Sequence, residues 1–127
     1  MKLRIRGNSL RLRLLRGDVE RFSKTGCLAE TIQFGAAQLT YSLEIRSEAR
    51  TINANFADNQ ITVIIPESTA RNWIESEQVG LTGEQLNETD APENVLKITI
   101  EKDFVCLERK DDPDNADAFP HPLEKCA

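Results

Sequence analysis

The stretch KLRIRGNSLRLRL, residues 2–14, alternates apolar and basic side chains on both sides of a turn. Gly7, Asn8 and Ser9 are turn-forming residues, so the stretch predicts a β-hairpin. A strand has a side-chain period of two, which places the apolar residues of both strands on one face and the basic residues on the other. The apolar face contains Leu3, Ile5, Leu10, Leu12 and Leu14, and the basic face contains Lys2, Arg4, Arg6, Arg11 and Arg13.

The same order of elements occurs twice along the chain. After the first hairpin, the spacing of apolar residues predicts a helix over 17–25 and strands over 28–34 and 38–46. From residue 51 a second hairpin, a helix that starts near Pro66 and two further strands follow, the last over 95–101. The pattern therefore predicts an α+β fold built from two ββαββ units.

A shift of 51 residues aligns the apolar positions of the two units, for example Leu12 with Val63. Few aligned pairs are identical, so a common unit that arose twice is the alternative explanation, but we favour internal duplication. We predict one domain over residues 1–127, with units at 1–50 and 51–107 and a pseudo-twofold relation between them. The strands are expected to form a mostly antiparallel sheet or a partly closed barrel. An acidic, proline-containing tail at 108–127 is expected to pack partly on this domain.

Charge is divided unevenly along the sequence. Residues 1–24 contain eight basic and two acidic side chains, a net charge of +6, whereas the other 103 residues contain eight basic and 19 acidic ones, a net charge of −11. The overall net charge of −5 argues against a general nucleic-acid-binding protein, because long-range attraction to phosphate needs a net or focused positive field. A local anion site is compatible with this division.

The arginines of the predicted basic face are the candidate binding residues, namely Arg4, Arg6, Arg11 and Arg13. Like charges on paired strands repel each other, so we expect negative groups to offset them. One solution is a charge ladder within the chain or between subunits, formed with Glu44 and Glu101, which occupy non-core positions of their own strands. The other is a bound phosphate or carboxylate, which an arginine holds with two hydrogen bonds.

A closed barrel with the basic face inside is the basis of an alternative function. Its arginine-lined tunnel suits a phosphate, a nucleotide or a polyphosphate, with or without enzymatic activity. Such a tunnel superficially resembles the triphosphate-tunnel enzymes, whose N-terminal signature is an alternating pair of glutamates before a lysine. Residues 2–6 read KLRIR here, so the carboxylates that hold the metal in that family are missing.

Few residues support catalysis or metal binding. The single histidine, His121, lies in the tail, and the nucleophile-elbow, P-loop and dinucleotide-binding glycine motifs do not occur. With Cys106 and Cys126, His121 is one ligand short of a closed zinc site, and the aspartates of 111–117 do not match a calcium-binding loop. We therefore predict no catalytic residue, no metal and no cofactor.

The cysteines and the lengths of the apolar runs bear on the cellular compartment. Cys27, Cys106 and Cys126 lack C-x-x-C spacing, so we interpret them as reduced thiols. The sequence contains no run of 18 apolar residues and no apolar segment typical of a secretory leader at its start. We expect a cytoplasmic protein without a membrane partner.

Three segments resemble a family of short, uncharacterised bacterial proteins: MKLRIRGNSLRLRL at 1–14, EKDFVCL at 101–107 and FPHP at 119–122. The resemblance extends over nearly the whole chain. It implies no activity, cofactor or catalytic residue. It does imply that the tail belongs to the domain, with Phe119 as its docking anchor.

These patterns together predict a non-enzymatic binding or interaction module that uses the arginine-rich hairpin face. We expect self-association or a protein partner, and a small anionic ligand is the second expectation. The acidic net charge argues against a nucleic-acid partner.

Overall fold

The predicted first hairpin is present in the structure, a computed structural model that describes residues 1–86 and 94–103. Strands β1 (Lys2–Ile5) and β2 (Ser9–Leu14) pair antiparallel, with Leu3 opposite Leu12. Gly7 has a φ of 55° in the turn, a left-handed conformation that glycine adopts without strain. The leucines and the basic residues therefore lie on opposite faces, as the alternation predicts.

The remaining elements follow in the predicted order, which confirms the α+β class. They are α1 (Arg16–Thr25), β3 (Cys27–Phe34), β4 (Ala37–Arg46), β5 (Asn53–Ala57), β6 (Gln60–Pro66), α2 (Glu67–Glu75), β7 (Gly80–Leu86) and β8 (Val95–Lys102). Gly26 ends α1 in a left-handed conformation, and its N–H donates to the carbonyl of Phe22 at 2.8 Å. Helix α1 ends where the sequence predicted.

The described strands form two separate four-stranded sheets. The first sheet has the order β1-β2-β8-β7, and the second has the order β3-β4-β6-β5. In each sheet two antiparallel hairpins are joined by a parallel central pair, β2 with β8 and β4 with β6. No described strand of one sheet pairs with a strand of the other, so the predicted partly closed barrel is wrong.

The physical reason for this difference is the path of the chain through the helices. Helix α1 carries the chain from the first sheet to the second, and α2 carries it back. Each half of the chain therefore contributes one hairpin to each sheet. Hairpins have a local sequence signal, whereas the parallel pairs join distant segments, as Leu12 and Ile100 do, and have none.

The core lies between the two sheets, and the helices complete it. The apolar residues of the central strands that are at most 1% exposed are Leu12, Leu14, Leu43, Val63, Ile65, Ile98 and Ile100. Phe22 of α1 and Ala70 and Trp73 of α2 are fully buried in the same cluster. The indole N–H of Trp73 donates to the carbonyl of Val79 at 3.1 Å, which satisfies its one polar atom.

The α-amine of Met1 is buried beside two carboxylates, a feature that the sequence patterns did not indicate. It donates to Asp18 of α1 at 2.8 Å and forms a second ion pair with Glu30 of β3. Asp18 also accepts the backbone N–H of Leu15 at 2.9 Å, and the hydroxyl of Tyr41 donates to the carbonyl of Met1 at 3.3 Å. The network ties the beginning of β1 to α1 and to the second sheet.

This ion pair makes the stability of the fold depend on pH. Burial alone lowers the pKa of the Met1 α-amine, but its hydrogen bonds to Asp18 and Glu30 outweigh burial and raise the pKa above the usual 8.0. Burial alone raises the pKa of Asp18, but the α-amine and the N–H of Leu15 hold it below the usual 3.8. The contribution of the α-amine is complete below pH 8.0 and is lost as the pH rises through its raised pKa. The contribution of Asp18 is complete above pH 3.8 and is lost as the pH falls through its lowered pKa.

The substitution Asp18→Asn is expected to lower the free energy of unfolding by about 3 kcal/mol near pH 6, because the buried ammonium group loses the more buried of its two carboxylate partners. Urea unfolding of the wild type and the variant at a series of pH values measures this difference, which should shrink at acidic and at alkaline pH. The matched control is Glu20→Gln, an exposed carboxylate on the same helix, which should change little. A loss that is independent of pH contradicts the ion pair.

The close approach of β7 to the chain before β5 gives a second stability prediction. A Cβ atom on Gly83 would lie 2.9 Å from the Cβ of Ile52, so Gly83→Ala is expected to lower the free energy of unfolding by about 1–3 kcal/mol. In Gly17→Ala, the control within α1, the new Cβ lies 3.6 Å from its nearest neighbour, and stability is expected to rise by up to about 1 kcal/mol. Urea unfolding of both variants checks the opposite signs, and equal effects would contradict the close packing.

Candidate functional site

The predicted arginine face is the outer surface of the first sheet. Arg4 lies opposite Arg11 and Lys2 lies opposite Arg13, on the side of the sheet that faces away from the core. Strand β8 extends this surface through its parallel register with β2, which places Thr99 beside Arg11 and Glu101 beside Arg13. Arg6 follows β1, and its backbone exchanges hydrogen bonds of 3.2 and 3.1 Å with Ser9. The sheet thus presents the four predicted arginines on one side.

Arg13 is held by acidic partners at the end of the sheet near α1. Its Nη2 and Nε atoms lie 2.9 and 3.0 Å from Oε1 of Glu101, and its side chain is only 14% exposed. Asp103 lies 3.9 Å from Nη1 of Arg13 and forms an ion pair of 3.0 Å with Lys2. Arg13 therefore belongs to an ion-pair network, as the ladder interpretation expects for Glu101.

Glu44 does not join this network. It lies on β4 of the second sheet, where its Oε1 atom accepts from Nη2 of Arg46 at 2.7 Å. The expectation that Glu44 offsets the hairpin arginines within one chain is wrong, because the parallel pairing places β8, and not β4, beside β2. The described sheets also form no tunnel that Glu44 and Glu101 could line together.

The other three arginines surround a cleft at the opposite end of the same face. Arg4, Arg6, Arg11 and Ser9 line a volume of about 260 Å³, which we call the arginine cleft. Arg11 is 39% exposed, and its Nε atom lies 3.8 Å from Oε1 of Glu101, so its ion pair is weaker than that of Arg13. Within residues 1–86 and 94–103 the guanidinium of Arg6 has no acidic partner. Guanidinium groups donate in a planar fork that matches a carboxylate or a phosphate.

An apolar groove of about 600 Å³ opens beside the arginine cleft, at the mouth between the two sheets that lies away from the helices. Its apolar walls are Ile5, Leu10, Leu39, Ala54, Phe56, Ile61 and Leu96. Ile5 is 58% exposed and Phe56 is 67% exposed. Sequence reasoning missed this site because it assigned such residues to the core. The sequence does indicate that these apolar residues lie next to turns, at the ends of alternating strands, where no other described element covers them.

A third cavity, of about 770 Å³, lies between α1 and the end of β8. Leu15, Val19 and Ile74 form part of its wall, together with the acidic residues Glu20 and Asp103 and the basic residues Arg16 and Lys102. None of the four predicted arginines lines it.

Reactive and metal-binding groups are sparse in the described part of the chain. Residues 1–86 and 94–103 contain no group of three or more histidine, cysteine, aspartate or glutamate side chains that could hold a metal ion. Cys27 is a free thiol, and burial together with the charge of Glu44 raises its pKa, which disfavours the nucleophilic thiolate at neutral pH. Cys106, His121 and Cys126, the tail at 108–127 and its anchor Phe119 lie outside the described residues.

The two helices of the described segments are short, with ten residues in α1 and nine in α2. Neither α1 nor α2 is long and apolar enough to cross a bilayer.

Comparison with known proteins identifies one family. A family of unknown function, DUF7009, matches residues 1–123. This match confirms the resemblance to an uncharacterised family, while the bacterial origin stays a prediction. No curated protein and no solved structure is significantly similar to the chain.

The arginine face is expected to divide into a part that stabilises the fold and a part that does not. Arg13→Gln is expected to lower the free energy of unfolding by about 1–2 kcal/mol, because Glu101 and Asp103 are largely buried and lose a cation. Arg6→Gln, the matched control, removes an exposed charge and should leave stability unchanged. Urea unfolding at low and high salt measures both variants, and an equal loss in both would contradict this division.

Proposed function

The chain belongs to DUF7009, a family of unknown function, and we propose that it is a non-enzymatic binding module whose arginine face holds the carboxylates of an acidic protein segment. The observation that carries this proposal is the arginine cleft, where Arg4, Arg6 and Arg11 line one surface of about 260 Å³ together with Ser9. Arg13 lies on the same face, where its ion pair with Glu101 stabilises the sheet.

The chemistry of the cleft favours binding over catalysis. Among the residues that the structure describes, its lining consists of three guanidinium groups and one hydroxyl, without a carboxylate, an imidazole or a thiol. Guanidinium groups stay protonated, so they hold an anion but do not exchange protons with it. The volume is also below the usual range of about 300–1,000 Å³ for small-molecule sites.

The charge of the chain favours an acidic partner, and a second copy is one candidate. Residues 1–24 carry +6 and the remaining residues carry −11, so the basic face of one copy is complementary to the acidic part of another. Opposite charges of this kind accelerate association and fix its orientation. Self-association and the binding of another acidic protein would therefore use the same arginines.

Charge reversal in the cleft tests the proposal with a fluorescent decaglutamate peptide as the probe. Arg6→Glu and Arg11→Glu are each expected to weaken binding at least about tenfold, because attraction becomes repulsion at the site. The matched control is Lys24→Glu, which makes the same change of net charge on α1, where the side chain is 72% exposed. Fluorescence anisotropy at low salt measures the three affinities. Equal weakening by Lys24→Glu, or no weakening by either arginine variant, contradicts the proposal.

A phosphate-bearing small molecule is the second candidate, and the observation in its favour is the presence of three arginines in one small cleft. Phosphate, like a carboxylate, accepts two parallel hydrogen bonds from one guanidinium group, whereas the Ser9 hydroxyl donates to the carbonyl of Arg6 at 2.6 Å. A thermal-shift series with phosphate, ATP and tripolyphosphate at low salt distinguishes the two ligand classes. A rise in Tm that Arg11→Glu abolishes assigns the cleft to phosphate.

We also infer that residues 1–50 and 51–107 are duplicated units with a pseudo-twofold relation. In support, exchanging the two halves converts the strand order of one sheet into that of the other. The starts of β1 and β5, at Lys2 and Asn53, and those of α1 and α2, at Arg16 and Glu67, are each 51 residues apart. The counterpart of Arg11 is then Thr62, which is buried, so the arginine cleft is particular to the first unit.

A further inference from the structure

The arginine cleft and the apolar groove meet at the turn of the first hairpin. Ser9 lines both of them, with Arg6 and Arg11 on the cleft side and Ile5 and Leu10 on the groove side. A ligand that lies across this turn contacts a basic surface and an apolar one at the same time. The best-matched ligand carries carboxylates next to an aromatic or aliphatic side chain.

The chain contains such a segment. Residues 111–119 read DDPDNADAF, with aspartates at positions 111, 112, 114 and 117 and an aromatic residue at position 119. In an extended backbone, Asp117 and Phe119 are about 7 Å apart, which is the scale of a single turn between the cleft and the groove.

The length of the chain permits this contact. Asp103 lies at the α1 end of the first sheet, where its N–H donates to the carbonyl of Leu14 at 2.8 Å. The groove begins at Leu96, seven residues back along β8, which corresponds to about 23 Å of strand. The 16 residues from Asp103 to Phe119 span up to about 53 Å when extended, so Phe119 can reach the groove of its own chain.

We propose that residues 111–119 dock on the joined surface of their own chain, with the ring of Phe119 in the apolar groove and the aspartates against Arg6 and Arg11. The proposal rests on the proposed function, because it uses the arginine cleft as a receptor for carboxylates. An acidic partner then binds in competition with this segment, and the segment sets the affinity of the site.

Two other placements of the segment are less favourable. The charged residues that line the cavity between α1 and β8 are Arg16, Lys102, Glu20 and Asp103, so its charges balance, and it attracts a segment with four aspartates less than the arginine cleft does. Docking on a second copy depends on protein concentration, whereas a tethered segment is present at its own site at a high effective concentration.

Competition with an external acidic peptide tests the carboxylate half of the proposal in the full-length chain. If the segment occupies the site nine-tenths of the time, the double variant Asp114→Asn/Asp117→Asn is expected to bind the fluorescent decaglutamate peptide about tenfold more tightly than the wild type. Asp58→Asn in the turn between β5 and β6 is the matched control and should bind the peptide about as the wild type does. An unchanged affinity in the double variant overturns the proposal.

Methyl NMR of the full-length chain tests the aromatic half. The ring of Phe119 adds to the shift that Phe56, a residue of the groove wall, imposes on the methyl signals of Ile5 and Leu39, and Phe119→Ala is expected to abolish this added shift. Phe34→Ala, which removes an exposed phenylalanine outside the groove lining, is the control and should preserve it. Contacts of Phe119 with Val19 in the α1 cavity, or shifts that appear only at high protein concentration, overturn the proposal.

The two experiments separate this inference from the proposed function. When Arg11→Glu still weakens peptide binding and the tail variants have no effect, the cleft binds carboxylates but the segment does not dock there. When the peptide fails to bind even the double variant Asp114→Asn/Asp117→Asn, the proposed function itself is contradicted.

Discussion

The parallel pairing of β2 with β8 is the constraint on which the other features depend. It aligns Leu12 with Ile100 on the core side of the first sheet and Arg13 with Glu101 on the outer side. A shift of β8 by one residue against β2 would turn its core residues outward and Glu101 toward the core. The hydrophobic core and the ion pair therefore specify the same register. The paired charges are 88 residues apart in sequence, and their pairing fastens the two ends of the described chain together.

Charge on the first sheet is graded along the strands. Near α1, Arg13 is enclosed by Glu101 and Asp103, and this end of the face contributes to stability. Toward the hairpin turn Arg11 has only a distant carboxylate, and Arg6 has no acidic partner among the described residues. Repulsion between these exposed guanidinium groups costs little, because water and salt screen it. One residue type therefore supports the fold at one end and leaves a binding surface at the other.

Local patterns were sufficient to predict the elements but not their arrangement. The hairpins, the helices and buried positions such as Leu12 and Trp73 follow from periodicity within short stretches. The choice between one barrel and two sheets depends on which central strands pair, and parallel partners far apart leave no local pattern. The glutamates illustrate this limit. Glu101 and Glu44 occupy similar positions in their strands, yet one contacts the arginine face and the other pairs with Arg46 in the second sheet.

The open mouth between the sheets has the same topological origin. The helices follow β2 and β6 at their carboxyl ends, so they cover one end of the core, and at the other end the described residues provide turns and the starts of the parallel strands. Apolar rows that include Ile5 and Phe56 therefore end in solvent, where each Å² of exposed apolar surface costs roughly 25 cal/mol. A purely anionic ligand binds in the arginine cleft and leaves the apolar groove exposed to solvent. A ligand with an aromatic ring beside its carboxylates covers both the arginine cleft and the apolar groove. Hydrophobic burial then adds to its affinity, so the site binds it more tightly than it binds a simple anion.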